Sequence, residues 1–284
     1  MTTITHEPAA SGWGVDRLDL DAYLWRVGVT APLTVDVLTL RRLHRAHADV
    51  IAFENVDIVL GRTIELDLES VQEKLVRHRR GGYCFEHNAL FAAVLERIGF
   101  PVTRLAARVQ VASAGAAGPR THMLLRVEVD GEPWLADVGF GSSLLEPLPM
   151  RRTTMRQGAW TYRLEPSAAA GWRLQRRGPD GWLDQYVFTL EPQHPIDYAV
   201  MNHYTATHPR SPFVGQLVVI RTEPDARHAL RDLELTTSRP DGGAESREID
   251  AVALAGVLAE RFAVELDDEE TGRLLTVVGG RDAR

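Results

Sequence analysis

Of 284 residues only one is a cysteine, Cys84, and only one is a lysine, Lys74. A single thiol excludes an internal disulfide, fits a reducing cytoplasm and leaves the sulfur free for chemistry. The scarcity of lysine beside abundant arginine is a matter of base composition and carries no functional weight. Basic charge is not in surplus either: the net charge is -7 and the pI about 5.8. The cationic footprint that a phosphate backbone requires is therefore missing overall, and nucleic acid is not expected as a partner. No apolar run approaches the roughly 18 residues needed to cross a bilayer, and MTTITHEPAASGWG lacks a basic region followed by a hydrophobic stretch. We expect a soluble cytoplasmic protein without a membrane partner. There is no internal repeat and no long low-complexity tract. Cys84 and His87 form a C-x-x-H pair, but a closed zinc site needs four ligands, and none of matching spacing follows. No metal is expected.

What the chain does contain is enough apolar material, 44% of residues, for two or three packed units, and a hydrophobic period that changes along its length. After a leader of about a dozen residues, DLDAYLWRV from Asp19 and TVDVLTLRRLHRAHADVI from Thr34 place apolar residues three and four apart behind Asp or Thr caps. A third helical pattern runs through LESVQEKLVRHRR. A fourth starts near Cys84, carries Leu90, Phe91, Val94, Leu95 and Ile98 on one face, and is stopped by Gly99 and Pro101. Residues 1–99 thus read as a helical unit. From Val102 the period becomes alternating, in VTRLAARVQVA, THMLLRVEV, EPWLADVGF, WTYRLEP, GWRLQRR and GWLDQYVFTL, so residues 100–193 read as an antiparallel sheet or small barrel. Ala114 to Arg120 reads as a mobile loop in it. Residues 194–284 read as a mixed unit. It starts with the unassigned stretch HPIDYAVMNHYTATHPRSPF and continues through a strand at QLVVIR, a solvated turn and helix face at RTEPDARHALRD, a strand pair around LELTTSRPDGGAESREI and a helix at DAVALAGVLAERFAV.

The lone thiol lies in RRGGYCFEHNALF, just ahead of a helical pattern. The thiolate is the nucleophile, and a helix amino terminus with its unpaired N–H groups favours it. Gly81 and Gly82 are expected to let the preceding loop bend sharply. A base is also required. In THMLLRVEV, Met123, Leu125, Val127 and Val129 make one apolar face and His122 lies on the other. Asp130-Gly131 is a strong hairpin signal, which sets Val129 opposite Glu132 and Leu124 opposite Asp137. Asp137 then shares a face with Leu124 as a diagonal neighbour of His122, close enough to orient it. Cys84, His122 and Asp137 supply a nucleophile, a base and an orienter. Pattern alone does not bring Cys84 to the hairpin. Glu86, His87 and Asn88 read as a buried capping and hydrogen-bond network rather than as reacting groups.

RGGYCFEHN, followed by THMLL and LADVGFG and preceded by AFENV, resembles the arylamine N-acetyltransferase family from about Asp19 to Phe213. The resemblance implies an α+β fold of N-terminal helical bundle, central antiparallel β-barrel and C-terminal α/β lid around a papain-like triad, matched here by Cys84, His122 and Asp137. It also implies acetyl transfer from acetyl-CoA, as co-substrate, to arylamines, hydrazines or hydroxylamines through an acetyl-cysteine, with no metal. The family's aromatic acceptor pocket matches Phe53 and Phe140, and Gly141 is carried over for the CoA side. Ala52 departs from the proline usual before Phe-Glu-Asn. The nearest rival is an amide synthase that closes a macrolactam with the same three residues. A non-catalytic CoA-binding protein and a cysteine hydrolase stand further off. The preferred amine and the oligomeric state are not legible.

Overall fold

Capped helices set the first third of the computed structural model, which describes residues 12–30, 32–111, 118–142, 144–167 and 171–280. The leader, up to residue 11, and residues 114–117 of the Ala114–Arg120 loop lie outside the described residues. Asp19 accepts a hydrogen bond from Ala22 N (3.0 Å) and starts α1 (Leu20–Val27), which Gly28 ends in a left-handed conformation at φ 72°. Asp36 does the same for Thr39 N (2.7 Å) at the head of α2 (Val37–Val50). A two-residue strand β1 (Phe53–Glu54) and a single turn α3 (Val56–Val59) follow. The third helical pattern splits into a short α4 (Leu68–Gln72) and a π-helical turn, Glu73–Arg77, in which His78 N bonds to Glu73 O (2.9 Å). Then comes α5 (Cys84–Ile98), closed by Gly99 at φ 113°.

The alternating segments form one antiparallel sheet of eight strands: β2 (Val102–Val109), β3 (His122–Val129), β4 (Glu132–Ala136), β5 (Leu148–Pro149), β6 (Thr153–Gln157), β7 (Trp160–Ser167), β8 (Gly171–Gly178) and β9 (Gly181–Phe188). The order is β5-β4-β3-β2-β9-β8-β7-β6, so the two edge strands are consecutive in the chain, and the sheet curls into a nearly closed barrel. The hairpin register is the one expected, with Val129 opposite Glu132 and Leu125 opposite Ala136. One face of β3, with Met123, Leu125, Val127 and Val129, packs on α5 residues including Phe91 and Leu95. The other face, with Leu124, joins Leu105, Leu135, Leu164 and Tyr186 inside the barrel.

The last third begins with α6 (Pro195–Thr207), continues through β10 (Val218–Thr222), β11 (Arg227–Arg231), β12 (Glu234–Ser238) and β13 (Ala244–Glu248), and ends in α7 (Leu254–Phe262) and α8 (Asp268–Gly279). RTEPDARHALRD is therefore not a solvated turn and helix face. Its second half is β11, the middle strand of a five-stranded sheet, flanked by β10 and β12, because Leu230 is buried against Leu258 and Phe262 while neighbouring positions face the other way. β1 joins this sheet, with Phe53 opposite Ile220. The stretch before Cys84 is thereby tied to residues more than 160 positions later. Among the described residues no helix is long and apolar enough to cross a membrane.

Candidate active site

Cys84 is the first residue of α5, so its sulfur sits at the end of the helix where backbone N–H groups lack intrahelical partners. The preceding loop lies flat beside β1: Glu54 N donates to Gly82 O (2.7 Å) and Gly82 N to Ala52 O (3.4 Å). This corrects the expected role of the glycine pair. Neither glycine has positive φ. A Cβ on Gly81 would lie 2.2 Å from Ala52 O, and one on Gly82 would lie 2.7 Å from Glu86 Oε2, so close approach and not a sharp bend excludes a side chain.

The loop is also held from beneath. Glu86 accepts from Tyr83 N (2.9 Å) and from Lys74 Nζ (2.8 Å), and Lys74 reaches Asp57 (2.7 Å). Arg80 pairs with Glu54 (3.0 Å) and with Glu270 on α8 (2.9 Å). Burial pushes the Glu86 carboxyl up, with the Lys74 ammonium opposing it. His87 Nε2 lies 3.0 Å from Gly82 O and 3.1 Å from Ala52 O. Both are acceptors, so Nε2 carries hydrogen and Nδ1 accepts from His47 Nε2 (2.9 Å); His47 Nδ1 in turn accepts from the Tyr23 hydroxyl (3.1 Å). Burial holds His47 and His87 neutral, lowering His87 to about 4.

On β3, His122 Nε2 lies 2.8 Å from Asp137 Oδ2, and both side chains are almost fully buried. A carboxylate only accepts, so Nε2 carries hydrogen and Nδ1 is the ring nitrogen left for the sulfur. Burial opposes the imidazolium, but Asp137, with a smaller contribution from Cys84, raises the His122 pKa to about 10. Asp137 itself is held below the usual carboxylate range: burial raises it, and His122, Asn88 and Tyr186 outweigh that. Four donors converge on it. Asn88 Nδ2 and Gly139 N, each at 3.1 Å, reach Oδ1, while His122 and the Tyr186 hydroxyl, each at 2.8 Å, reach Oδ2. Asp137 N donates to His44 Nε2 (3.2 Å). The Cys84 thiol donates to the carbonyl of Thr121 (3.5 Å), the residue before His122.

Cys84 and His122 open on one cavity of about 450 Å³, walled by Phe53, Phe140, Phe213 and Tyr204. The Phe140 ring meets His122 edge-on at 4.9 Å and Tyr186 at 5.0 Å. A thiol at a helix start, a buried imidazole with its carboxylate, and an aromatic chamber of small-molecule size suit acyl transfer to a flat acceptor. Among the described residues no group of three or more His, Cys, Asp or Glu could hold a metal ion.

A family model described as N-acetyltransferase matches residues 36–271. The arylamine N-acetyltransferase of Escherichia coli K12 is 38% identical over 260 residues, covering 89% of this chain and 91% of that protein. The chain belongs to the arylamine N-acetyltransferase family. Solved structures agree: the Mycobacterium abscessus enzyme superposes with a TM-score of 0.90 at 38% identity, covering 96% of this chain and 99% of its own. The Mycobacterium marinum arylamine N-acetyltransferase, solved in complex with CoA, gives 0.84 at 36% identity, covering 92% and 98%. This chain is accordingly an acyltransferase of that family.

The remaining residues around the site fall unevenly. Phe53 and Phe140 both wall the cavity. Gly141 does not; Gly139 takes a place in the wall, and Gly141, at φ 75°, packs where a Cβ would lie 3.1 Å from Ile220. Ala52 also stays out of the wall and packs with the C-terminal core. Tyr204 reaches the cavity and stacks on His208 (4.4 Å), whereas His203 faces a different cleft. Sequence reasoning missed Tyr186 and His44. Tyr186 lies at an inward position of an alternating strand, which marks it as buried but not as a partner of Asp137.

Proposed function

We propose that the protein transfers acetyl from acetyl-CoA to arylamines, hydrazines or hydroxylamines by double displacement through Cys84. The observation that carries the reading is the cavity shared by Cys84 and His122, with Asp137 bonded to the far side of the imidazole. With the thiol proton held on His122, the Cys84 sulfur attacks the thioester carbonyl, and the C–S bond to CoA breaks as the imidazolium gives that proton to the departing CoA sulfur, leaving acetyl-Cys84, free CoA thiol and a neutral His122. The amine then attacks the acetyl carbonyl, His122 accepts the amine proton, and the Cys84 sulfur leaves with a proton returned from the imidazole. The three stretches divide this work: 1–99 brings the nucleophile, 100–193 the base and its orienter, and 194–284 acts as a lid with Tyr204 and Phe213 over the acceptor. Phe53, Phe140 and Phe213 narrow the space at the sulfur, which favours a small acyl group and a separate flat amine over a long chain folded on itself.

The test is direct. Incubation with acetyl-CoA and no amine should give protein carrying one acetyl group by intact mass, absent in Cys84→Ser, and turnover with an arylamine should give parallel double-reciprocal lines. Trace turnover of acetyl-CoA across a broad amine panel, with ready cyclisation of a long-chain thioester bearing its own aromatic amine, would replace this reading with macrolactam closure.

A further inference from the structure

β11 carries Arg227, Ala229 and Arg231 at alternate positions, so both guanidinium groups stand on the sheet face opposite to buried Leu230. That face looks toward β8 of the barrel, which contributes Arg176. The three arginines line one groove of about 460 Å³. Arg176 and Arg227 share Trp160, with guanidinium carbons 5.3 Å and 4.7 Å from its ring centre. Among the described residues none of the three has a carboxylate at ion-pair distance. Asp184 also lines the groove, but it is engaged by Gln175 (2.6 Å) and Arg173 (3.7 Å). Arg227 Nε donates to Thr222 (3.2 Å) and Arg176 Nη1 to Arg177 O (3.3 Å), yet Arg227 Nη2 and Arg176 Nε are buried with no hydrogen-bond partner.

Buried donors left unmade are costly, and two neighbouring cations repel. Burial, together with the adjacent Arg176, lowers the Arg227 pKa to about 10 in spite of the Tyr162 hydroxyl that favours the charged form. An anion with several oxygens would relieve both conditions, and arginine forks match phosphate geometry. The groove is not remote from the chemistry: Val111, Ser142, Ile220 and Arg231 wall both it and the Cys84 cavity. In a CoA thioester the phosphates are separated from the reacting carbonyl by the pantetheine arm. They belong in a neighbouring compartment and not at the sulfur.

We propose that Arg176, Arg227 and Arg231 form a subsite for the phosphate groups of the CoA thioester, in the groove between the barrel and the C-terminal sheet. The proposal rests on the reading that CoA delivers the acyl group. It makes an otherwise acidic protein locally cationic where its donor is anionic, and it makes donor choice depend on phosphates that the three reacting residues never touch.

Calorimetric titration tests it without turnover, using CoA, adenosine 3′,5′-bisphosphate, pantetheine and inorganic phosphate as separate ligands. The parent should bind CoA at least about 10-fold more tightly than pantetheine, bind the bisphosphate measurably, and lose both advantages in high salt. Inorganic phosphate should compete only weakly. Arg231→Gln, at an exposed position where folding is not at risk, and Arg176→Gln should each weaken CoA and the bisphosphate about 10-fold with pantetheine little changed, while Arg231→Lys should recover part of the loss. Equal binding of CoA and pantetheine by the parent, or CoA binding unaltered in both glutamine variants, overturns the subsite. Arginine-dependent CoA binding by a parent that acetyl-CoA does not acetylate would leave the subsite standing and refute the acetyl-transfer reading instead.

Discussion

Asp137→Asn is the substitution whose outcome the hydrogen bonds dictate most closely. Asp137 is fully buried, and each of its oxygens takes two donors. Asparagine must put an NH2 group at one of the two sites. At Oδ1 it would face the Asn88 amide and the Gly139 N–H, neither of which can reverse its role without losing its other bonds. At Oδ2 it faces the Tyr186 hydroxyl, which can rotate, and His122 Nε2, which can become an acceptor by moving its hydrogen to Nδ1. The second arrangement is favoured, and it places an N–H where the imidazole should offer a lone pair to the Cys84 proton. The variant should therefore keep its fold with a loss of about 1–3 kcal/mol, the cost of one compromised buried hydrogen bond. Its acylation rate should fall about 10³–10⁴-fold, the order seen when a base is locked in the wrong tautomer. Urea denaturation measures the first, and single-turnover release of CoA measures the second. A rate within about 10-fold of the parent, in a variant shown to be folded, would refute the orienting role of Asp137.

Three further outcomes follow from the surroundings of the site. Gly81→Ala should destabilise by about 1–3 kcal/mol or more, since the new methyl meets the Ala52 carbonyl at 2.2 Å, and a thermal or urea midpoint equal to the parent's would contradict the packing. Lys74→Met should cost about 3–5 kcal/mol in urea, because Glu86 and Asp57 lose their shared cation in a buried setting; a loss below about 1 kcal/mol would show that the network is dispensable. Stability should peak near neutral pH. His44 and His87, lowered to about 4, contribute stability that is present above about 6.5 and lost toward 4, at up to about 1.4 kcal/mol per pH unit each, while His122, raised to about 10, contributes stability that is complete below 6.5 and lost as pH climbs through 10. A flat urea midpoint from pH 4.5 to 9 would sink that assignment of charge states.

The local periods of the chain were sufficient to place α1, α2, α5 and the long barrel strands, because caps, 3.6-residue spacing and alternation act between near neighbours. They were sufficient too for the His122–Asp137 pairing, since a two-residue turn and a pleat of period two leave one register. The family-bearing stretches carried Cys84, Phe53 and Phe140 to their positions by resemblance. What local pattern could not reach is what depends on contacts between distant segments. β11 looked solvated because its arginines are polar in sequence, and only its pairing with β10 and β12 over the helices α7 and α8 makes it a strand. Gly81 looked like a bend because glycine serves bends and close approaches alike, and the Ala52 carbonyl that decides between them arrives with β1. Tyr186 reaches Asp137, and His44 its backbone, from strands and helices 49 and 93 residues away. Sequence by itself determined how Cys84, His122 and Asp137, the groups proposed to carry the chemistry, are each locally presented. The tertiary fold alone decided that the helix end bearing sulfur meets the hairpin bearing imidazole and carboxylate, because that meeting is set by the packing of the apolar face of β3 on α5 and by the desolvation it imposes, neither of which has a period to read.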